Sequence, residues 1–376
     1  MTFTLDELSI LCVYSALAVY AIAFIAYAVD LARRGAVATR AVDAAAEAEA
    51  AAAAAADASG EPATIGASVL AEREARTVRA GTAERVGPAG ASATGAAGTS
   101  STTPERSRWA SAISAGASVD YGRSPVLRVA LAMTVIAWLL HLTATIVRGV
   151  AAGRVPWANM YEFALTGTLV VTTVFLLVLL FAKQDLRFLG TFVTGLVLVL
   201  LGVAAVNFYV DVAPLPPALQ SVWLVIHVFV ATSAVGFFAL GFALSVVQLM
   251  QARRESLLAT ADAVKKSFLA TLPDSISLES LAYRVNIIGF ILWTFTLMAG
   301  AIWAEKAWGR YWGWDTKEVW TFIIWVIYAG YIHARATRGW RGSRSAWLAI
   351  IGFSAVLFNF TIVNLFFKGL HAYSGL

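Results

Sequence analysis

Four histidines, His141, His227, His333 and His371, are spread through the 376 residues, and none lies in the long polar stretch of the first third. His227 sits four residues into an apolar run that begins at Trp223, roughly 6 Å below its end at 1.5 Å rise per residue. His371 follows the last apolar run, in the tail GLHAYSGL. The alternation of spans set out below brings both to one side of a membrane at similar depth. Two neutral imidazoles there could take the two axial positions of a haem iron. Either one alone would more simply be an interfacial hydrogen-bonder. His333 falls 14 residues beyond Val319, roughly 21 Å along a helix and past the midplane, where ionisable side chains are costly and usually functional. His141 precedes Arg148 by seven residues and reads equally well as a packed or hydrogen-bonded core residue.

The second concentration is aromatic. Residues 303–320 read WAEKAWGRYWGWDTKEVW, with Trp303, Trp308, Trp312, Trp314 and Trp320 beside Tyr311. A membrane-interface belt explains one or two indoles at a span end; five in eighteen residues beside an acidic–basic cluster point to a flat aromatic ligand. On a helix, Gly309 and Gly313 would leave a shallow strip for a macrocycle. Asp315, Lys317 and Glu318 would orient the platform, and Lys306 and Arg310 would neutralise acid groups of the ligand.

The elements that position these residues follow from composition. Hydrophobic residues make up 59% of the chain and charged ones 14%, well under the quarter usual in soluble domains. The apolar residues fall into runs long enough to cross a bilayer: residues 8–29, 126–147, 163–181, 188–206, 223–250, 287–304, 319–336 and 346–367. The expectation is an all-α membrane protein of about eight transmembrane helices, with both termini on the non-cytoplasmic side. Lys183/Arg187, Arg253/Arg254 with Lys265/Lys266, and Arg338/Arg341/Arg344 mark cytoplasmic connectors, and Arg148 and Arg154 break that bias. The net charge of +5 sits in these short clusters, which argues against nucleic acid as a partner and for the lipid bilayer.

Three segments result. Residues 1–34 form an N-terminal anchor, since acidic Asp6 and Glu7 and a long apolar run do not suit a cleavable signal. Residues 35–121 are an Ala/Gly/Ser/Thr-rich cytoplasmic linker with too little to bury, except for one transient helix at 44–56. Residues 122–376 form a seven-helix domain carrying the tryptophan-rich outer loop 303–320. The single cysteine, Cys12, excludes an internal disulfide and a cysteine-based zinc site. Any thiol chemistry must use a partner's cysteines.

The segment WGRYWGWDTKEVW (308–320) resembles the "WWD" signature of haem-handling cytochrome c assembly proteins. Its spelling is closest to the CcsA/ResC-type subunit of the System II cytochrome c synthase. The likeness extends from about Arg148 to Leu376, through RVPWANMYE (154–162) and GLHAYSG (369–375), and does not cover the first span or the linker. It implies that haem b is presented outside the plasma membrane for covalent thioether attachment to CxxCH motifs of apocytochrome c. It also implies a ResB/CcsB-type membrane subunit as partner. By order and depth His227 and His371 correspond to the family's ligands of the external haem iron. His333 corresponds to a ligand of haem within the membrane, whose opposite ligand comes from the partner. Thr316 stands where family members often carry Pro, which alters backbone stiffness at a helix start.

Two rival readings stay open: a haem transporter or chaperone serving a separate ligase, and an electron-transfer cytochrome b-like subunit. The latter usually places two ligands on one helix, and no span here holds two histidines. The topology is directly measurable. Reporter fusions after Lys183, Arg254 and Arg341 are expected to read cytoplasmic, and fusions after Pro214 and at the C-terminus external; a cytoplasmic C-terminus would separate His371 from His227.

Overall fold

The computed structural model describes residues 4–59, 124–182, 184–259, 268–337 and 339–371. In chain order the helices are α1 (Leu5–Ser59), α2 (Pro125–Ala152), α3 (Met160–Phe181), α4 (Gly190–Asn207), α5 (Val222–Ala259), α6 (Ser275–Trp308), α7 (Thr316–Ala336), α8 (Ser343–Phe360) and the short α9 (Ile362–Phe366). Seven of them, all but α7 and α9 and with the last counted as Ser343–Phe366, are long and apolar enough to cross a membrane. The eighth expected span is α7. At 21 residues it is about 31 Å long, but Lys317, Glu318 and Arg335 make it less apolar than the others.

Residues 1–35 and 120–376 form one compact unit, and residues 36–119 a second. The expected linker begins differently from its composition. Helix α1 runs without a break to Ser59, because the alanine-rich stretch after Arg34 has high helical propensity and extends a helix already nucleated. The remainder of the expected linker, residues 60–121, lies outside the described residues.

Helices α5 and α6 pack along most of their lengths, and α7 and α8 close against them. Phe238 of α5 stacks on Tyr328 of α7 at 3.7 Å, and the Trp293 indole of α6 donates to the Thr321 carbonyl at 3.1 Å. His141 is a core residue. Its Nε2 meets the Leu165 carbonyl at 2.8 Å and its Nδ1 the Tyr20 hydroxyl at 3.4 Å, so both ring nitrogens are engaged in packing α2 against α3 and α1.

Buried charge ties the helix ends. Arg148, at the end of α2, is 0% exposed. It donates to Glu162 of α3 at 3.1 Å, to Asp6 of α1 at 2.5 Å and to the Val210 carbonyl at 2.7 Å. Arg154 reaches the same Glu162 at 2.6 Å, and the Ala158 amide adds a third donor at 2.9 Å. The two arginines that break the charge bias are therefore neutralised inside the fold and do not act as free loop charges. At the other end Glu279 of α6 holds Arg335 of α7 at 3.2 Å and accepts from the Gly342 amide just before α8 and from the Ser345 hydroxyl in its first turn. Removing one member of a buried pair leaves its partner's charge uncompensated, at a cost of about 3–5 kcal/mol. Glu162→Ala is thus expected to lower thermal stability in detergent severely, and Glu162→Gln to lose most of the same stability despite its equal volume. Unchanged melting of both variants would show that the network carries no load.

Candidate functional site

The Trp-rich segment is not a single platform. Helix α6 ends at Trp308, and Gly309 takes the left-handed conformation (φ 69°) that stops it. Gly309 and Gly313 therefore do not share a helical face, and the expected macrocycle strip is absent: the intervening turn is non-helical, and Gly313 lies against the folded-back Arg310 side chain. The Glu318 carboxylate accepts the Gly313 amide at 2.8 Å and the Asp315 amide at 3.1 Å, which fixes the turn onto the start of α7.

Two of the five tryptophans meet histidines. Trp303, 2% exposed, stacks with His227 at 5.9 Å and meets His371 edge-on at 5.4 Å; Trp308 meets His371 at 4.8 Å. The Trp303 indole donates to the Ala218 carbonyl at 3.0 Å, so its plane is fixed. Gly300, one turn before Trp303, is required by this packing: a side chain there would come within 2.7 Å of the His227 ring.

The other three point elsewhere. Trp320 packs on Phe358 of α8 at 4.4 Å. Trp312 meets Trp314 at 5.9 Å and Phe322 at 6.5 Å, and Trp314 is 76% exposed with φ 57°. His333 is exposed on α7, away from the other histidines, and shares an outward face with Phe322, Val326 and Gly330.

Asp315 joins the tail to this cluster. It accepts the His371 Nδ1–H at 2.7 Å and the Leu370 amide at 3.2 Å. The imidazole beside it holds its carboxyl below the usual carboxylate range. That contact stabilises the docked tail above the ordinary carboxyl range and is lost as pH falls through the lowered value.

In both histidines Nδ1 is engaged. His227 donates Nδ1–H to the Thr296 carbonyl at 2.9 Å, since a carbonyl can only accept. Nε2 has no protein partner among the described residues in either ring. A donor on Nδ1 leaves the Nε2 lone pair available, the tautomer an iron ligand requires. Among the described residues no three His, Cys, Asp or Glu side chains converge as a metal cluster.

Walls for this site come from residues that sequence reasoning left without a role. Trp157, Leu215, Leu219, Trp223 and Leu224 pack with Trp303 and Trp308. Trp157 precedes α3, Leu215 and Leu219 lie between α4 and α5, and Trp223 and Leu224 open α5. The signal available was positional: each lies beside a span end on the histidine side. The tail has one close approach that decides its path, because a side chain at Gly369 would collide with the Asp315 carboxylate. Gly369→Val is therefore expected to release the tail, with amide exchange at Leu370 rising about tenfold or more. Unchanged exchange would show that the tail does not depend on Asp315.

Residues 157–371 match the family described as cytochrome C assembly protein. The chain is 35% identical over 259 residues to the cytochrome c biogenesis protein CcsA of Guillardia theta, covering 63% of this chain and 84% of that one. It is 34% identical over 277 residues to the CcsA of Prochlorococcus marinus, covering 68% and 85%. A third relative, the CcsA of Synechococcus elongatus, is 34% identical over 265 residues, covering 60% and 81%. With its seven long apolar helices, this multi-pass membrane protein belongs to the cytochrome c assembly protein family, as a CcsA-type protein of cytochrome c biogenesis.

Proposed function

We propose that His227 and His371 hold the iron of haem b at the non-cytoplasmic face of the plasma membrane, and that the chain presents it there for attachment to apocytochrome c. The observation that carries this reading is the matched pair of tautomers: both rings are fixed through Nδ1, by Thr296 and Asp315, and both leave Nε2 open beside one buried indole. Haem is the substrate. Each of two cysteine thiols of a CxxCH motif adds across a vinyl group, sulfur to one carbon and hydrogen to the other, with no net redox change. The thiols come from the apocytochrome, because Cys12 is the chain's single cysteine and lies on α1. The work of this chain is to fix the macrocycle while the partner docks, which turns a two-body encounter into an oriented reaction. Nothing in that role requires an acid or base from this chain.

His333 takes a different part. Its exposure on the outward face of α7 suits a ligand whose opposite position is filled from outside this chain, by a ResB/CcsB-type subunit. In transit, haem would pass His333 before reaching the outer pair.

One set of variants tests both assignments in the complex purified with its partner subunit. His227→Gly and His371→Gly are expected to abolish cytochrome c maturation and to lose outer-site haem absorbance, with partial rescue by imidazole. His333→Ala is expected to leave both places nearly empty. Wild-type haem content and normal maturation in both glycine variants would remove the outer assignment, and the same result for His333→Ala would remove the transit role.

A further inference from the structure

A cavity of about 140 Å³ lies inside the bundle beneath His227. Its lining is almost entirely apolar and comes from α3 to α8, including Phe163, Val171, Trp293 and Phe353. Lys317 is its one charged lining residue. A second, small hollow lies against Asp315, Asn364, Gly369 and His371, and Lys317 lines that one too. Lys317 is the only residue shared by the two, so it stands where the His227 space and the His371 space adjoin.

Two polar groups accompany it. Thr321, one turn further along α7, lines the cavity with its hydroxyl donating to the Lys317 carbonyl at 2.7 Å. Asn359 of α8 is 6% exposed and lines the same cavity, and its Oδ1 has no hydrogen-bond partner. The other end of that amide meets Thr321 Oγ1 at 3.5 Å. The Thr321 hydroxyl has already given its one proton to the Lys317 carbonyl, so it accepts from the Asn359 NH₂, and the amide presents its oxygen to the cavity. The Lys317 ammonium itself bonds the Asn364 side-chain oxygen, which is neutral; no carboxylate forms an ion pair with it among the described residues. An ammonium at the edge of an apolar cavity, bonded to a neutral amide and to no carboxylate among the described residues, is a charge the fold leaves uncompensated.

We propose that Lys317 is the anchor for an acid group of the ligand that His227 and His371 receive: a carboxylate on a largely apolar body. This rests on the haem reading, in which the acid is a propionate. The exposed Lys306, already paired with Glu305 at 3.1 Å, and the exposed Arg310 are then not its counter-charges. Lys317 fixes which edge of the macrocycle enters first and so which edge stays outward for the apocytochrome. It is a positioning residue for the vinyl groups and takes no part in bond formation.

The test compares two probes on the full-length chain in lipid nanodiscs, haemin and its dimethyl ester, with affinity followed by absorbance. The two differ in the charge of the acid groups. Wild type is expected to bind the diacid about tenfold or more tightly than the diester, the worth of one charge-assisted hydrogen bond away from bulk water. Lys317→Gln is expected to erase that ratio and Lys317→Arg to keep most of it. A ratio near one in wild type overturns the proposal without any variant, and so does a Lys317→Gln protein that keeps the wild-type ratio. Absence of binding for either probe in wild type overturns the haem reading itself, a result distinct from binding without preference for the acid.

Discussion

Ionised groups inside an apolar bundle must be answered by opposite charge or hydrogen bonds, and this requirement sets where the helix ends meet. Glu162 gathers Arg148, Arg154 and the Ala158 amide. Arg154 also donates to the Ala213 carbonyl at 3.3 Å, in the segment between α4 and α5. That same segment supplies Ala218, which orients the Trp303 indole, and Leu219, which packs on it. A carboxylate distant from the histidines thus determines the surface on which both of them rest. Asp315 acts similarly at shorter range, because it holds Leu370 and His371 against the start of α7.

The two histidines reach the site by different means. His227 is carried on a long helix and locked by a backbone carbonyl of α6, so its position is as rigid as the α5–α6 packing. His371 lies beyond α9 and is held by one carboxylate and one amide. One imidazole is therefore fixed by helix packing, and the other moves with the tail that carries it.

Much of this was legible from residue order. Apolar runs located each long helix, since hydropathy is a direct consequence of the solvent each helix faces, but they missed polar extensions: α6 begins at Ser275, twelve residues before the expected span, and α5 runs on to Ala259, nine beyond it. The histidine pair was legible because depth along a helix follows from residue counting. Other features were not. The continuation of α1 to Ser59 depends on propagation from an existing helix, and composition alone reads the alanine-rich stretch as a linker. The separation of Trp303 and Trp308 from Trp312 and Trp314 depends on Gly309 ending α6, whereas the tryptophan count is the same in either case. The place of Lys317 between two hollows was not legible either, because one is lined from α3 to α8 and the other from the start of α7, α9 and the tail, which only the tertiary packing brings together. Arg148 and Arg154 looked like misplaced loop charges because their carboxylates, Asp6 and Glu162, are remote or unremarkable in sequence.

The stretch shared with the cytochrome c assembly family begins at residue 157. Glu162 lies inside it, but both arginines that neutralise Glu162, and the Asp6 that completes the cluster, lie before it. Tyr20 of α1 likewise reaches Thr172 of α3 at 3.2 Å. Homology and autonomy therefore have different borders in this chain: the ancestral signature is cut across a single electrostatic knot. A fragment trimmed to that signature would keep His227, His371 and the five tryptophans of residues 303–320, yet carry a stranded anion where its first helix joins the rest.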